Sequence, residues 1–137
     1  MRTLIASLFL PAVALAFHAT PASAQGRWKE IGKTAAGNLI YIDPKSVKTA
    51  NGIITAHLQV KFVTPVQVPN KGEWHLSRHV ESFDCAKKTV ATKESTYYGD
   101  YAGTKVMQHD VVKIPGFATA IGGSLTAIAL EYVCRGK

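Results

Sequence analysis

Histidine is the residue type here that best suits metal binding or proton transfer, and four follow the N-terminal segment: His57, His75, His79 and His109. On a helix, His75 and His79 would lie about 6 Å apart and could share one metal ion. On the strand predicted for this segment the same spacing is about 13 Å, which is too far. No cysteine or carboxylate cluster joins the histidines. We therefore interpret them as surface residues and predict no metal site.

The sequence contains no catalytic motif. A Gly-x-Ser-x-Gly elbow is missing, and Gly122-Gly123-Ser124 lacks the lysine and the spacing of a phosphate-binding loop. We interpret this tripeptide as a hinge and helix cap, with anion binding at the helix start as the alternative. The sequence thus predicts a protein that is not an enzyme and has no catalytic residue and no cofactor.

The two cysteines, Cys85 and Cys134, are predicted to form a disulfide. The chain begins like an exported protein, and oxidising compartments form and keep such bonds. Closing a loop of about 50 residues stabilises a small domain by roughly 4 kcal/mol in the chain-entropy account. Two buried free thiols are the alternative.

The N-terminal segment has the layout of a secretory signal peptide. A positively charged start precedes an apolar run at 4–17 and the small-residue motif Ala22-Ser23-Ala24. We predict cleavage between Ala24 and Gln25, with an earlier cut after Ala16 as the alternative.

This cleavage divides the chain into a signal peptide, 1–24, and one mature domain, 25–137, whose length suits a single core. The first residue after the predicted cleavage site is Gln25 and not a cysteine, so lipidation of the mature N-terminus is not expected. We expect an exported protein, periplasmic or secreted, without a lipid anchor.

The formal net charge of the chain is +7, and its lysines are spread along the sequence. No run of five or more like charges occurs, which argues against a basic arm for nucleic acid. A positive surface favours an acidic protein or a polyanion as partner, with ordinary solubilising charge as the alternative.

The clearest periodicity lies at 53–63, where apolar and polar residues alternate. One face is apolar: Ile54, Ala56, Leu58, Val60 and Phe62. The other is polar: Thr55, His57, Gln59 and Lys61. This period of two predicts a strand with one buried and one solvated face, as in an antiparallel sheet. The segment 64–72, with two prolines and a final glycine, predicts a loop.

Similar β-rich segments recur at roughly ten-residue spacing, which predicts a meandering antiparallel sheet. We predict about six strands, at 27–32, 39–42, 53–63, 74–83, 89–98 and 105–113. Asp43-Pro44 predicts one helical turn after the second strand, and Asn51-Gly52 predicts a tight turn.

The last segment has a helical period, with Leu125, Ile128, Ala129 and Tyr132 on one face after an N-capping Ser124. A helix packed on the sheet and pinned by the disulfide would complete an α+β domain. A membrane span in the uncharged stretch 114–130 is the alternative, but its proline and glycines argue against it.

Three tyrosines, Tyr97, Tyr98 and Tyr101, lie near Lys93 and Lys105 in the sequence. They are interpreted as core or cross-strand residues, with a binding surface for a glycan or peptide as the alternative.

Short motifs along the chain resemble the surface-adhesin protein E family of Gram-negative bacteria. They are Trp28-Lys29-Glu30-Ile31-Gly32, Tyr41-Ile42-Asp43-Pro44-Lys45-Ser46-Val47, Ser77-Arg78, Phe83-Asp84-Cys85, Tyr97-Tyr98, Gly103-x-x-Val106 and Glu131-Tyr132-Val133-Cys134. The resemblance implies a small exported domain, an antiparallel sheet with a packed helix, and one disulfide from the sheet to the chain's end. It also implies an adhesin-type role, since the founding member is regarded as a lipid-anchored adhesin for host matrix proteins and plasminogen.

The sequence departs from the family in having no lipidation cysteine, and Val112-Lys113-Ile114 where a tryptophan is common. No binding residue is carried over, so the binding residues remain unassigned. We expect a binding protein for host matrix proteins or polyanions, with homodimerisation through an edge strand as a further contact. The alternatives are an envelope protein that serves a bacterial partner and a small hydrolase or metal enzyme.

Overall fold

A computed structural model describes residues 26–136 of the chain. The predicted signal peptide and its cleavage site between Ala24 and Gln25 lie outside the described residues. The predicted domain 25–137 is therefore seen apart from its first and last residues.

The described residues form eight strands, one α-helix and one short 3-10 helix at Pro44–Ser46. The elements are β1 (Lys29–Lys33), β2 (Leu39–Ile42), β3 (Lys48–Ala50), β4 (Ile53–Val68), β5 (Gly72–Asp84), β6 (Thr89–Tyr98), β7 (Val106–Val111), β8 (Ala118–Thr119) and α1 (Leu125–Cys134).

All strands belong to one antiparallel sheet curled as a half-barrel, in the order β1-β2-β4-β5-β6-β7. The short strands β3 and β8 pair with β4 and β6, outside that path. Neighbours in sequence are mostly neighbours in the sheet, as short connections require. The predicted fold class, an antiparallel meander with a C-terminal helix and one disulfide, is confirmed.

The core lies between α1 and one face of the sheet, which we call the helix face. Ile54, Ala56 and Leu58 of β4 are buried there, as their alternation predicts. Phe83 is the partner of Ile54 on β5 and is fully buried, because paired residues of antiparallel strands point to the same side. Ala129 of α1 closes this core.

Helix α1 begins at the predicted N-cap and is anchored by the predicted disulfide. The hydroxyl of Ser124 accepts a hydrogen bond from the Ala127 N–H at 3.2 Å, which caps the helix. Gly136, with φ of +78°, follows its end. Cys134 at the last turn is joined to Cys85, just after β5, by a disulfide with an S–S distance of 2.02 Å.

The predicted loop at 64–72 is wrong, because β4 continues to Val68. Pairing of β4 with β5 is interrupted after Lys61 and resumes at Val66, opposite Trp74. Pro65 lies within the interruption, so its missing N–H removes no ladder hydrogen bond. Only three residues between Val68 and Gly72 form the turn.

Two short strands, β3 and β8, were not predicted. All residues of both are exposed, so neither carries a buried stripe from which a period could be read. The predicted tight turn at Asn51-Gly52 joins β3 to β4, and the predicted helical turn is the 3-10 helix capped by Asp43. No helix within residues 26–136 is long and apolar enough to cross a membrane.

Candidate binding face

The face of the sheet that points away from α1 carries Thr55, His57, Gln59 and Lys61 of β4, and we call it the Arg78 face. This face was predicted to be solvated, and at its centre that prediction is wrong. Gln59 is only 6% exposed, because side chains from distant parts of the chain cover it. Arg78, the β5 partner of Gln59, is one of them.

Arg78 is held at the centre of this face by one hydrogen bond and two aromatic rings. Its Nε donates to Oε1 of Gln59 at 3.0 Å. Its guanidinium carbon lies 5.5 Å from the Trp28 ring centroid and 5.0 Å from that of Tyr98. Both separations are within the range of cation–π attraction, so the guanidinium is fixed in place and partly shielded from water.

The turn between β6 and β7 packs against the same guanidinium through Gly103. A Cβ atom on Gly103 would lie 2.5 Å from Nη2 of Arg78, and the residue has φ of +71°. Both facts favour glycine, since a side chain would strain the backbone and displace the guanidinium from its place between the two rings. We call Arg78, Trp28, Tyr98, Gln59 and Gly103 the Arg78 cluster.

Asp100 and Tyr101 fix the shape of that turn. The Asp100 carboxylate accepts hydrogen bonds from the Thr104 hydroxyl and from the backbone N–H groups of Thr104 and Lys105. The hydrogen bond from the Thr104 hydroxyl is the largest cause that lowers the pKa of Asp100. The Tyr101 hydroxyl donates to the Phe62 carbonyl at 2.8 Å and ties the turn to β4.

A second arginine, Arg27, also contacts the Trp28 ring, and its guanidinium carbon lies 5.1 Å from the indole centroid. Unlike Arg78, Arg27 has a counter-ion, because its Nε donates to the Asp43 carboxylate at 2.7 Å. Burial alone would raise the pKa of Asp43. Hydrogen bonds from Arg27 and the Lys45 N–H, with the Arg27 charge, outweigh burial and lower the pKa.

Two cavities open on either side of Trp28 and Arg78, with volumes of about 500 and 480 Å³. The first also has Lys93 and Glu94 in its wall, and the second has Lys61. Glu94 lies 3.7 Å from His109. The lining of both cavities therefore carries more basic than acidic side chains.

Within residues 26–136, Arg78 pairs with no carboxylate, and its two terminal nitrogens donate no hydrogen bond to protein. A guanidinium fork of this kind matches a carboxylate or sulfate in two parallel hydrogen bonds. The Arg78 cluster can therefore hold an anion without first giving up an ion pair.

Within the described residues, the four histidines do not form a shared metal site. His79 lies on the helix face between the hydroxyls of Ser77 and Ser95, at 2.8 and 3.0 Å. Burial lowers its pKa to about 4, so the ring is neutral at pH 7 and the prediction of a surface residue is wrong for His79. No group of three or more His, Cys, Asp or Glu side chains in the described part of the chain is placed to hold a metal ion.

The three tyrosines singled out in the sequence have different surroundings in the fold. Tyr98 joins the Arg78 cluster, whereas Tyr97 stacks on Trp74 with centroids 4.0 Å apart. The members of the cluster come from widely separated parts of the chain, so no local spacing brings them together. The available signal was the resemblance itself, since Trp28, Arg78, Tyr98 and Gly103 all lie in its motifs.

Comparison with protein families agrees with those motifs: the model of surface-adhesin protein E matches residues 28–135. The chain belongs to the surface-adhesin protein E family. Membership in this family implies an exported or surface protein of the adhesin type. A comparison with curated proteins finds no match.

Solved structures of protein E from Haemophilus influenzae share the fold. Crystal form II of that protein has a TM-score of 0.56 and 15% identity, over 83% of this chain and 91% of that chain. Protein E from non-typeable Haemophilus influenzae has a TM-score of 0.54 and 15% identity, over 83% and 79%. At these identities the likeness concerns the fold alone.

Proposed function

We propose that this member of the protein E family is an exported, non-enzymatic binding protein that holds an acidic group of a partner on the Arg78 face. The observation that carries the proposal is the Arg78 guanidinium, fixed between Trp28 and Tyr98 with its terminal nitrogens unused by protein. A carboxylate in a protein and a sulfate or uronate in a glycan both fit this chemistry.

The fixed position of Arg78 favours binding. An arginine that is already ordered loses little conformational entropy when its partner arrives, and shielding from water strengthens the charge interaction. Lys61 and Lys93 add positive charge along the two cavities. Their attraction acts at longer range and speeds association, so binding should weaken as salt concentration rises.

The partner class that the family suggests is a host matrix protein or a polyanion. Its alternative is an acidic bacterial protein within the envelope. For either route we propose removal of residues 1–24 by cleavage between Ala24 and Gln25, and release of domain 25–137 without a lipid anchor, into the periplasm or medium.

Binding of the purified protein to immobilised heparin and to a panel of matrix proteins tests this proposal. Arg78→Lys keeps the charge but loses the planar fork, and Lys61→Glu reverses a charge beside it. We expect each to weaken binding by about tenfold or more, as loss of a charge-assisted hydrogen bond predicts. Lys87→Glu, an equal charge change on an exposed residue of the turn between β5 and β6 and outside both cavities, is the matched control.

Equal weakening by Lys87→Glu and Lys61→Glu, with no effect of Arg78→Lys, would reduce the interaction to net charge and contradict a site at Arg78. Protease treatment of intact cells separates the two partner classes. Digestion supports a host partner, whereas protection until the outer membrane is opened supports a partner in the envelope.

A second contact is proposed at β7, which ends the sheet and leaves one strand edge unpaired within the described residues. Its side chains Val106 and Val111 are 58% and 64% exposed. Edge strands of this kind pair with another chain, and a second copy is the simplest partner. We expect a concentration-dependent dimer in light scattering, shifted toward the monomer by Val111→Lys; a monomer at all concentrations would contradict this contact.

A further inference from the structure

Three large apolar side chains stand out into solvent on the segment between β7 and α1. Ile114 is 90% exposed, Ile121 is 80% exposed and Phe117 is 46% exposed. We call these three residues the apolar rim. Single exposed apolar residues are ordinary, but three within eight positions are a concentration of apolar surface that an interaction would explain.

The backbone holds both isoleucines at bends. Pro115-Gly116 directly follows Ile114, and Gly122-Gly123 directly follows Ile121, with Gly123 at φ of +76°. The Ser124 N–H donates to the Ile121 carbonyl at 3.1 Å, which closes the second bend. Each side chain therefore projects from a turn and forms no part of a groove wall.

Cations lie on both sides of the rim. A cavity of about 520 Å³ places Lys48 and Lys93 beside Phe117. A cavity of about 530 Å³ on the other side of the segment, beside Thr119 and Ala120, has Lys88 and Arg135 in its wall.

Acidic groups are scarce in the same region. Glu131 is the one acidic residue in the walls of these two cavities, and the sequence between Asp110 and Glu131 contains no other. The rim is thus apolar at its tips and positive around them.

We propose that the apolar rim docks the protein on an anionic lipid surface. Protruding aliphatic side chains enter the boundary between head groups and acyl chains, and the surrounding lysines and arginine bind the anionic head groups. A bilayer requires no matching surface relief, which suits separate projecting side chains. An acidic protein would instead pack against a cavity wall, and neither isoleucine lies in the walls of the two neighbouring cavities.

Co-sedimentation of the purified protein with lipid vesicles tests the docking. Vesicles of phosphatidylcholine alone are compared with vesicles of phosphatidylcholine mixed equally with phosphatidylglycerol, at low salt. We expect binding to the mixed vesicles, and a loss of at least about tenfold for Ile114→Asp and for Ile121→Asp, from the transfer free energy of one aliphatic side chain. Val63→Asp, at a residue 57% exposed on β4, is the matched control and should bind as the parent does.

Several results would overturn the docking. They are failure to bind the mixed vesicles, equal binding to phosphatidylcholine alone, and a loss of binding in Val63→Asp equal to that in the isoleucine variants. Retention on immobilised polyglutamate that depends on Ile114 and Ile121, without vesicle binding, would assign the rim to an acidic protein instead. Melting temperatures of all variants, expected to be unchanged at such exposed positions, separate loss of docking from loss of fold.

Discussion

Two titratable side chains on the helix face, His79 and Glu81, carry pKa shifts in opposite directions for the same physical reason. Burial disfavours the charged form of each, so it lowers the pKa of His79 to about 4 and raises that of Glu81 to about 7. The Thr92 hydroxyl bonds to the Glu81 carboxylate and partly offsets the rise. Both side chains are therefore mostly neutral near pH 6. The folded state favours these neutral forms over the charged ones.

Their effects on stability cancel at moderately acidic pH and separate near neutrality. Folded Glu81 holds its proton above the pH at which the unfolded chain loses it, so stability from this residue is lost as pH rises through about 7. Folded His79 binds fewer protons than the unfolded chain between about pH 4 and 6.5, so its contribution rises over that interval. Between about pH 6.5 and 7 only the last part of the Glu81 loss remains, and at higher pH neither group changes the stability further.

We expect the stability difference between Glu81→Gln and the parent to grow between about pH 4.5 and 7 and to be complete by pH 9, because the variant escapes the loss caused by Glu81 ionisation. The difference from the parent at pH 9 should be roughly 2–3 kcal/mol in favour of the variant, because the buried amide cannot ionise. Urea unfolding across this pH range measures it, with Glu30→Gln at an exposed strand position as the control. A stability difference between variant and parent that stays constant from pH 4.5 to 7 would contradict the assignment.

Gly103→Ala tests the packing of the Arg78 cluster. Positive φ alone should cost about 1–2 kcal/mol, and the approach to Nη2 of Arg78 should add to it. Gly52→Ala is the matched control, since Gly52 has φ of +76° but no atom within 4 Å of an added Cβ. Equal losses of unfolding free energy in the two variants would show that Gly103 does not press on Arg78.

Single residues set the limits of what the sequence predicts at this scale. The alternation along β4 identifies Ile54, Ala56 and Leu58 as core, because a period of two is a local property. It assigns Gln59 to solvent, since nothing near Gln59 in sequence shows that Arg78 and its rings will cover it. Burial of a polar residue depends on the tertiary neighbours, and these are not local.

At the scale of the elements, local sequence patterns predict the long strands and the helix. They do not predict where the pairing of a strand is interrupted. β2 and β6 have the predicted bounds, and Ser124 caps α1. Pro65 usually ends a strand, but here it lies where β4 has no pairing partner. Whether a proline breaks a strand depends on which side its missing N–H would face, and the sequence does not reveal that.

The disulfide is the covalent link between the two kinds of element, β-sheet and helix. It joins the end of β5 to the end of α1 across 49 positions, next to the core formed by Phe83 and Ala129. Cys134→Ser should therefore lower the free energy of unfolding by about 2–5 kcal/mol.

Chemical denaturation with and without a reducing agent measures this loss. The parent should weaken on reduction to about the level of the variant, and the variant should not respond. An unchanged unfolding midpoint in Cys134→Ser would contradict a structural role for the bond.

At the scale of the whole molecule, the meander and the curl of the sheet create a site that no segment contains. Trp28 lies just before β1, Arg78 on β5, and Tyr98 with Gly103 at the end of β6 and in the following turn. The sequence predicts the fold class and the family, because both rest on motifs distributed along the chain in order. It leaves the binding residues unassigned, because their proximity arises only when the strands pair.

The most direct test of the Arg78 face is an NMR titration of the arginine side-chain Nε–Hε signals with a heparin oligosaccharide. Three arginines, Arg27, Arg78 and Arg135, follow the predicted cleavage site, so each serves as an internal comparison. We predict that the Arg78 signal moves saturably and that Arg135, away from the face, moves little. Saturable shifts at Arg135 with Arg78 unmoved would contradict the assignment of the fixed Arg78 guanidinium as the anchor for an acidic partner.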